Sequence, residues 1–316
     1  MNRLCRTTSI AVVQLLTIPL IVSSLSAAPK FSEWSTPINL GPTINSTFDE
    51  GGPAISKDGL TLYFHSNRPG GSGNFDIWLS RRDSVEDSWG VPVNLGPTVN
   101  STFNDLVPGL SRDGHYLFFT SDRPGGSGDL DLWVSRREHT HEDFGDFGWQ
   151  PPMNLGGIVN TAAIDAGPSY FENEDMSTPL LFFASNRPGG PGGLDIYVSE
   201  QNADGSFGAG VPVTELNTEL ADQAQDLGHD GLEMFIMSNR AGTRGLADLW
   251  VSTRNTTFDQ WSPPTNLGSL VNTAFNDGQP SLSSDRRTLY FFSNRSGGSG
   301  GNDLYMTTRT RIKGGR

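Results

Sequence analysis

A single cysteine, Cys5, occurs in the 316 residues, and it lies ahead of an apolar run from Ile10 to Val22. A chain cut beyond that run has no thiol for a disulfide, a thiolate-bound metal or a thiolate nucleophile, so its stability must come from its core. Basic residues are scarce too, 22 Lys and Arg against 35 Asp and Glu. Arg3 and Arg6, the apolar run and the small residues Ser23, Ser24, Ser26, Ala27 and Ala28 follow the order of a secretory signal peptide, with cleavage near Ala27. The run falls short of the ~20 residues of a spanning helix and contains Gln14 and Pro19. Residues 1–28 therefore read as the signal and 29–316 as the mature chain, periplasmic or extracellular, without a membrane span. Loss of Arg3 and Arg6 leaves a net charge of −15. So acidic a surface repels phosphate backbones and anionic lipid, which excludes nucleic acid and leaves cations, sugars, peptides and proteins.

Sustained 3.6-residue periodicity is also missing, and with it any major helix. Five copies of one segment stand in its place: LYFHSNRPGGSGNFDIWLS from Leu62, LFFTSDRPGGSGDLDLWVS from Leu117, LFFASNRPGGPGGLDIYVS from Leu181, MFIMSNRAGTRGLADLWVS from Met234 and LYFFSNRSGGSGGNDLYMT from Leu289. Their arginines, Arg68, Arg123, Arg187, Arg240 and Arg295, are 55, 64, 53 and 55 residues apart. An aspartate follows eight residues after each, at Asp76, Asp131, Asp195, Asp248 and Asp303. Ahead of each core lies a Trp-Pro-Asn-Leu-Gly segment such as WGVPVNLGPTVNS from Trp89, degenerate in the copy from Phe207, and then an acid at Glu50, Asp105, Asp165, Asp222 or Asp277.

Aromatic and β-branched runs bounded by Gly, Pro, Asn and Asp read as four short strands per copy. Four-stranded sheets at this period predict an all-β, five-bladed β-propeller with antiparallel blades and repeat cores near 48–82, 103–137, 163–200, 220–254 and 275–309. The chain starts with a Trp segment and ends without one. Residues 34–41 are therefore expected to form the outer strand of the last blade, whose other strands come from residues near 278–309, removing the exposed sheet edges.

The pattern S-(N/D)-R-P-G-G-x-G-x-x-D-(I/L)-(W/Y) after an S-x-D-G turn resembles the WD40-like repeats of the TolB type. The resemblance implies an extracytoplasmic propeller serving as a protein-interaction or envelope-associated scaffold. TolB-like propellers have six blades and an additional N-terminal domain, whereas five repeats fill this chain. Shape alone does not carry function over.

In a propeller the acids, the arginines and the later aspartates converge on one face. Each arginine is expected to bridge two carboxylates and tie three strands together, as in Asp105, Arg123 and Asp131. In the other reading Glu50, Asp105, Asp165, Asp222 and Asp277 ring the central opening and hold a polar ligand or, weakly, calcium. No D-x-D-x-D-G loop is present, and the arginines offset the acidic charge. The run His139, Thr140, His141, Glu142, Asp143 carries metal-capable side chains, but closed sites need three or four fixed ligands. No metal or cofactor is assigned. Blade four is the odd one, with Gln225 where other copies have proline, Asp226 where they have small residues, and Arg244 in its glycine loop; Asp226 joins the ligand-binding candidates.

No G-x-S-x-G elbow occurs, and His65, His115, His139, His141 and His229 lie in no triad context. With nearly equivalent blades and an arginine for every repeated acid, the leading expectation is a monomeric, non-enzymatic scaffold for an envelope or extracellular protein or glycan. The alternative is a glycoside hydrolase, which needs a proton-donating acid and a second carboxylate roughly 5–9.5 Å away. Arginine partners lower carboxylate pKa and so work against the acid role.

Overall fold

The computed structural model describes residues 30–138, 147–172 and 178–312. These residues form five four-stranded antiparallel sheets and no helix. From inner to outer strand, blade 1 is Glu50–Ile55, Thr61–Ser66, Asp76–Arg81 and Val93–Asn94, and blade 2 is Asp105–Leu110, Tyr116–Ser121, Asp131–Arg136 and Met153–Asn154. Blade 3 is Asp165–Phe171, Leu180–Ser185, Asp195–Glu200 and Val211–Pro212, and blade 4 is Asp222–Leu227, Glu233–Ser238, Asp248–Thr253 and Thr265–Asn266. Blade 5 takes Asp277–Leu282, Thr288–Ser293 and Asp303–Thr308 from the end of the chain and Ile38–Asn39 from its start.

The second strand of each blade is buried almost throughout because a neighbouring blade covers each of its faces. Alternation still sorts its side chains. Leu62 and Phe64 pack with Tyr290 and Phe292 of blade 5, while Tyr63 packs with Leu117 and Phe119 of blade 2. Five such apolar seams join the blades. Each fully buried Leu or Phe contributes about 1.5–3 kcal/mol, so the ring rests on contacts between blades.

Ring closure follows the expected course. Ile38 pairs with Met306 and Asn39 with Tyr305, flanked by backbone bonds from Ser35 to Thr308 (2.7 Å) and from Leu40 to Leu304 (3.0 Å). A second clasp, not foreseen, pairs Lys30–Phe31 with Arg311–Ile312. Beneath it the Arg309 guanidinium lies 3.9 Å from the Phe31 ring centre and 4.5 Å from that of Trp34, and it pairs with the buried Glu233 of blade 4.

Every inner strand carries a β-bulge after its second residue. The bulge residues are Gly52, Val107, Gly167, Ala224 and Gln279, all with φ between +46° and +64°. For β-branched Val107 this is a strained conformation. It turns the following residues of each inner strand toward the axis. The signal-like segment 1–28 and the run from His139 to Asp143 lie outside the described residues. No helix among the described residues is long and apolar enough to cross a membrane.

A chain beginning at residue 44 loses both clasps and the buried Trp34. It should melt about 10 °C or more below a chain beginning at residue 29, measured by calorimetry; an unchanged melting temperature would show that the ring closes without them.

Candidate functional site

On one face of the ring the repeated acids Glu50, Asp105, Asp165, Asp222 and Asp277 are all fully buried. Asp105 shows the common arrangement: it accepts the Ser101 N–H at 2.6 Å and the Ser101 hydroxyl at 3.0 Å and pairs with Arg123. Arg123 also donates to the Val99 carbonyl (2.7 Å) and to the Ser121 hydroxyl (3.0 Å), and it stacks between Phe119 and Trp133. Arg68–Glu50, Arg187–Asp165, Arg240–Asp222 and Arg295–Asp277 pair in the same way, at 2.5 to 2.9 Å.

The later aspartates do not complete the expected three-membered clusters. Asp131 accepts the Ser127 N–H at 2.6 Å, and Asp76 accepts the Ser72 N–H at 2.5 Å and the Asn94 side-chain amide at 3.0 Å. Asp195, Asp248 and Asp303 likewise accept N–H groups of their own glycine loops. Each arginine turns Nε and one terminal nitrogen to serine, carbonyl and one carboxylate, while the glycine loop presents N–H groups that need acceptors and takes the later aspartate. A Cβ on Gly71 would collide with Asp76, and one on Gly73 with the Phe103 carbonyl of the next blade. Close approach, and not only a turn, explains those glycines.

The ring of acids around an open centre is also corrected, because none of the five lines the axial cavity. That cavity, about 120 Å³, is walled by the bulged halves of the inner strands and by the turns that follow them, among them Lys57, Arg112, Glu172 and His229. The carboxylates in its wall are Asp226 and Glu172. Asp226 accepts the Leu282 N–H of blade 5 at 2.6 Å and faces the Ser169 hydroxyl of blade 3 at 3.4 Å. Burial pushes its carboxyl up to about 6 against those bonds, and no salt bridge offsets the shift among the described residues. Burial also raises Glu172, helped by Asp113 and opposed by Arg112 and Lys57. Gln225, 4% exposed, gives its amide N–H to the Gly167 carbonyl at 2.9 Å and leaves its carbonyl oxygen without a partner, as is His229 Nδ1.

His65 belongs to the scaffold. Burial holds it at about 3, so the ring is neutral and its Nδ1 accepts the Val107 N–H at 3.1 Å. Among the described residues no three His, Cys, Asp or Glu side chains form a set that could hold a metal ion.

A second repeated contact was missed on the sequence. Arg82, Arg137, Arg254 and Arg309 stack on Trp89, Trp149, Trp261 and Trp34 at 4.2 to 4.5 Å, each after the third strand of its blade. The signal was an arginine recurring just past each D-I-W strand, absent only from blade 3, which has Gln201.

No protein-family model matches the chain, and no curated protein matches it. Solved structures do. An α-L-arabinofuranosidase from Lactobacillus brevis aligns over 86% of this chain and 93% of its own, with a TM-score of 0.61 and 14% identity. The catalytic domain of a GH62 α-L-arabinofuranosidase from Coprinopsis cinerea aligns over 89% and 98%, at 0.56 and 14%. TolB from Acinetobacter baumannii aligns over 82% and 53%, at 0.45 and 15%, too weakly to carry an argument. Identities this low establish the fold, a five-bladed propeller. The leading expectation of a non-enzymatic binding scaffold is nevertheless overturned, since the rings that match this one over most of both lengths are those of sugar-cleaving enzymes.

Arg123→Ala strands a buried carboxylate and should cost about 3 kcal/mol in denaturant unfolding; Arg287→Ala, which removes an exposed pair with Asp285, should cost under about 1 kcal/mol. Asp226 prefers its protonated form when folded, so its contribution is full below its ordinary value of 3.8 and is lost as pH rises through about 6. Asp226→Asn should therefore raise the melting temperature at pH 7.5 and leave it nearly unchanged at pH 4; an equal shift at both values would contradict the assignment.

Proposed function

We propose that this protein is a glycoside hydrolase acting at the axial cavity, with Asp226 as proton donor and Glu172 as the second carboxylate. The observation that carries the reading is Asp226 itself, an acid raised to about 6 in a cavity wall where the other blades place Ala54, Gly109, Ser169 and Ser281. A general acid must hold its proton near the working pH, and desolvation without a cationic partner achieves this. The arabinofuranosidase likenesses support a carbohydrate substrate.

Ser169 touches Asp226, and Glu172 follows just beyond the end of the strand that carries Ser169, so the cavity wall holds the two carboxyl groups that glycoside hydrolysis needs. Asp226 gives its proton to the glycosidic oxygen as the bond to the anomeric carbon breaks. Glu172, which burial raises against the pull of Arg112 and Lys57, takes a proton in its carboxylate form from the water that attacks the opposite face. The unpartnered Gln225 oxygen and His229 Nδ1 supply acceptors for sugar hydroxyls. A cavity of about 120 Å³ suits one terminal sugar unit, so the enzyme removes units from chain ends. The signal-like order of residues 1–28 and the TolB-type repeats support work outside the cytoplasm.

Chromogenic furanosides and pyranosides test the reading. At least one should be hydrolysed, with activity falling as pH rises through about 6. Asp226→Asn should lower kcat about 10²–10⁴-fold. A folded protein inert on the whole panel, or an Asp226→Asn enzyme as active as the parent, would overturn it.

A further inference from the structure

One ion-pair cluster at the rim of the axial cavity departs from the repeat. In blades 1, 2 and 4 the turn after the inner strand ends in Gly59, Gly114 or Gly231, each at φ between +70° and +76°. Blade 5 keeps that left-handed conformation, at +63°, but fills it with Arg286, for which it is strained. The partners of Arg286 are on blade 4: it pairs with Asp230, and its Nε and one terminal nitrogen donate to Glu233 at 2.9 and 2.7 Å. Glu233 is unmatched too, standing where Thr61, Tyr116, Leu180 and Thr288 open the second strands of the other blades. Arg309 keeps the repeated bond of its Nε to the turn, here to the Arg286 carbonyl at 2.8 Å, and adds two bonds to Glu233 at 3.0 and 2.6 Å. Both guanidinium groups lie against the Phe31 ring, 5.1 and 3.9 Å from its centre. Among the described residues no other ion pair crosses from one blade to the next.

The cluster grips the two turns that carry His229 and Ser284 into the cavity wall. It also ends beside Asp226. Leu282, the last residue of the inner strand Asp277–Leu282, enters the turn that Arg286 closes with its N–H on the Ser283 carbonyl at 2.8 Å. The Leu282 N–H is the one that Asp226 accepts at 2.6 Å. A turn pinned to blade 4 by buried, forked ion pairs therefore fixes the direction of that N–H.

We propose that Arg286 is a positioning residue for the proton donor: with Asp230 and Glu233 it clamps the blade 5 turn to blade 4, Phe31 of the N-terminal strand completes the clamp, and the Leu282 N–H is thereby held on Asp226. The inference rests on the hydrolase reading only in giving Asp226 a proton to deliver.

The bond from Leu282 favours the ionised carboxyl, so a loosened clamp raises the pH at which Asp226 gives up its proton. Lys57, Arg112, Glu172 and His229, the charged and titratable groups that share the cavity wall, are left in place by the test. Carboxyl-carbon NMR follows Asp226, whose signal is identified by its loss in Asp226→Asn. Arg286→Gly restores the residue of blades 1, 2 and 4, and Glu233→Thr restores that of blades 1 and 5. These two and Phe31→Ala should each move the Asp226 midpoint up by about half a pH unit or more. Loss of a cation and loss of an anion act on Asp226 through space with opposite signs, so a common upward shift identifies the clamp. Arg123→Ala, which weakens the fold at the other end of the inner strands, should leave the midpoint where it is. An unmoved midpoint in folded Arg286→Gly and Phe31→Ala, opposite shifts in Arg286→Gly and Glu233→Thr, or an equal shift in Arg123→Ala would overturn the proposal. A common upward shift in a protein that hydrolyses none of the chromogenic glycosides would keep the clamp and discard the hydrolase reading; hydrolysis with an unmoved midpoint would do the reverse.

Discussion

The buried ion pair between the first residue of each inner strand and the arginine two residues past the second strand governs the ring. A carboxylate with no water around it is stable only when its lone pairs are filled. Asp105 is filled by one backbone N–H, one hydroxyl and one guanidinium. Those donors come from the segment arriving from the previous blade and from the blade's own second strand, so the pair fixes where each blade starts relative to the last. The asparagines of the N-L-G segment continue the line. Asn94 binds Asp76 of its own blade, and Asn100 bonds both the N–H and the carbonyl of Ile77 before the chain reaches Asp105. A blade can therefore not slide against its neighbour without exposing or orphaning a charge. Hydrophobic seams hold the blades together, and these polar lines set their register.

That division explains what could be read in advance. Strand number, blade number and ring closure follow from the spacing of residues such as Arg68, Arg123 and Trp34, because a repeat must bury equivalent groups equivalently. The partner of each arginine was half legible: Glu50 and its equivalents were recognised, but Asp76 and its equivalents were assigned to the same cation. Sequence spacing brings all three groups to one face and carries no information on the N–H groups of the glycine loop, at Ser72 and Gly73, that claim Asp76. The bulge was invisible for a related reason. Gly52, Val107, Gly167, Ala224 and Gln279 have nothing in common but position, and their positive φ is imposed by convergence at the axis.

Asp226 stood out in the sequence because symmetry makes any unmatched group conspicuous. Glu172 did not, since it lies past the end of the Asp165–Phe171 strand, outside the repeated pattern. Its raised pKa depends on Asp113 of the adjacent blade as well as on burial. A site at the axis of a propeller draws on several blades at once, and only the blade that differs from the rest advertises it.

Two buried titratable groups give the ring opposing responses to acid. His65 is held at about 3 and must stay neutral to accept the Val107 N–H. An unfolded histidine gains its proton near 6.5, so below that pH the fold loses stability with each step down. Asp226 works the other way, gaining stability as pH falls from about 6 toward 3.8. The windows overlap between roughly 4 and 6, where one term offsets part of the other. Asp226 joins blades 3, 4 and 5, and His65 joins blades 1 and 2. Acid therefore relieves the side of the ring that holds the proposed proton donor and strains the seam between blades 1 and 2.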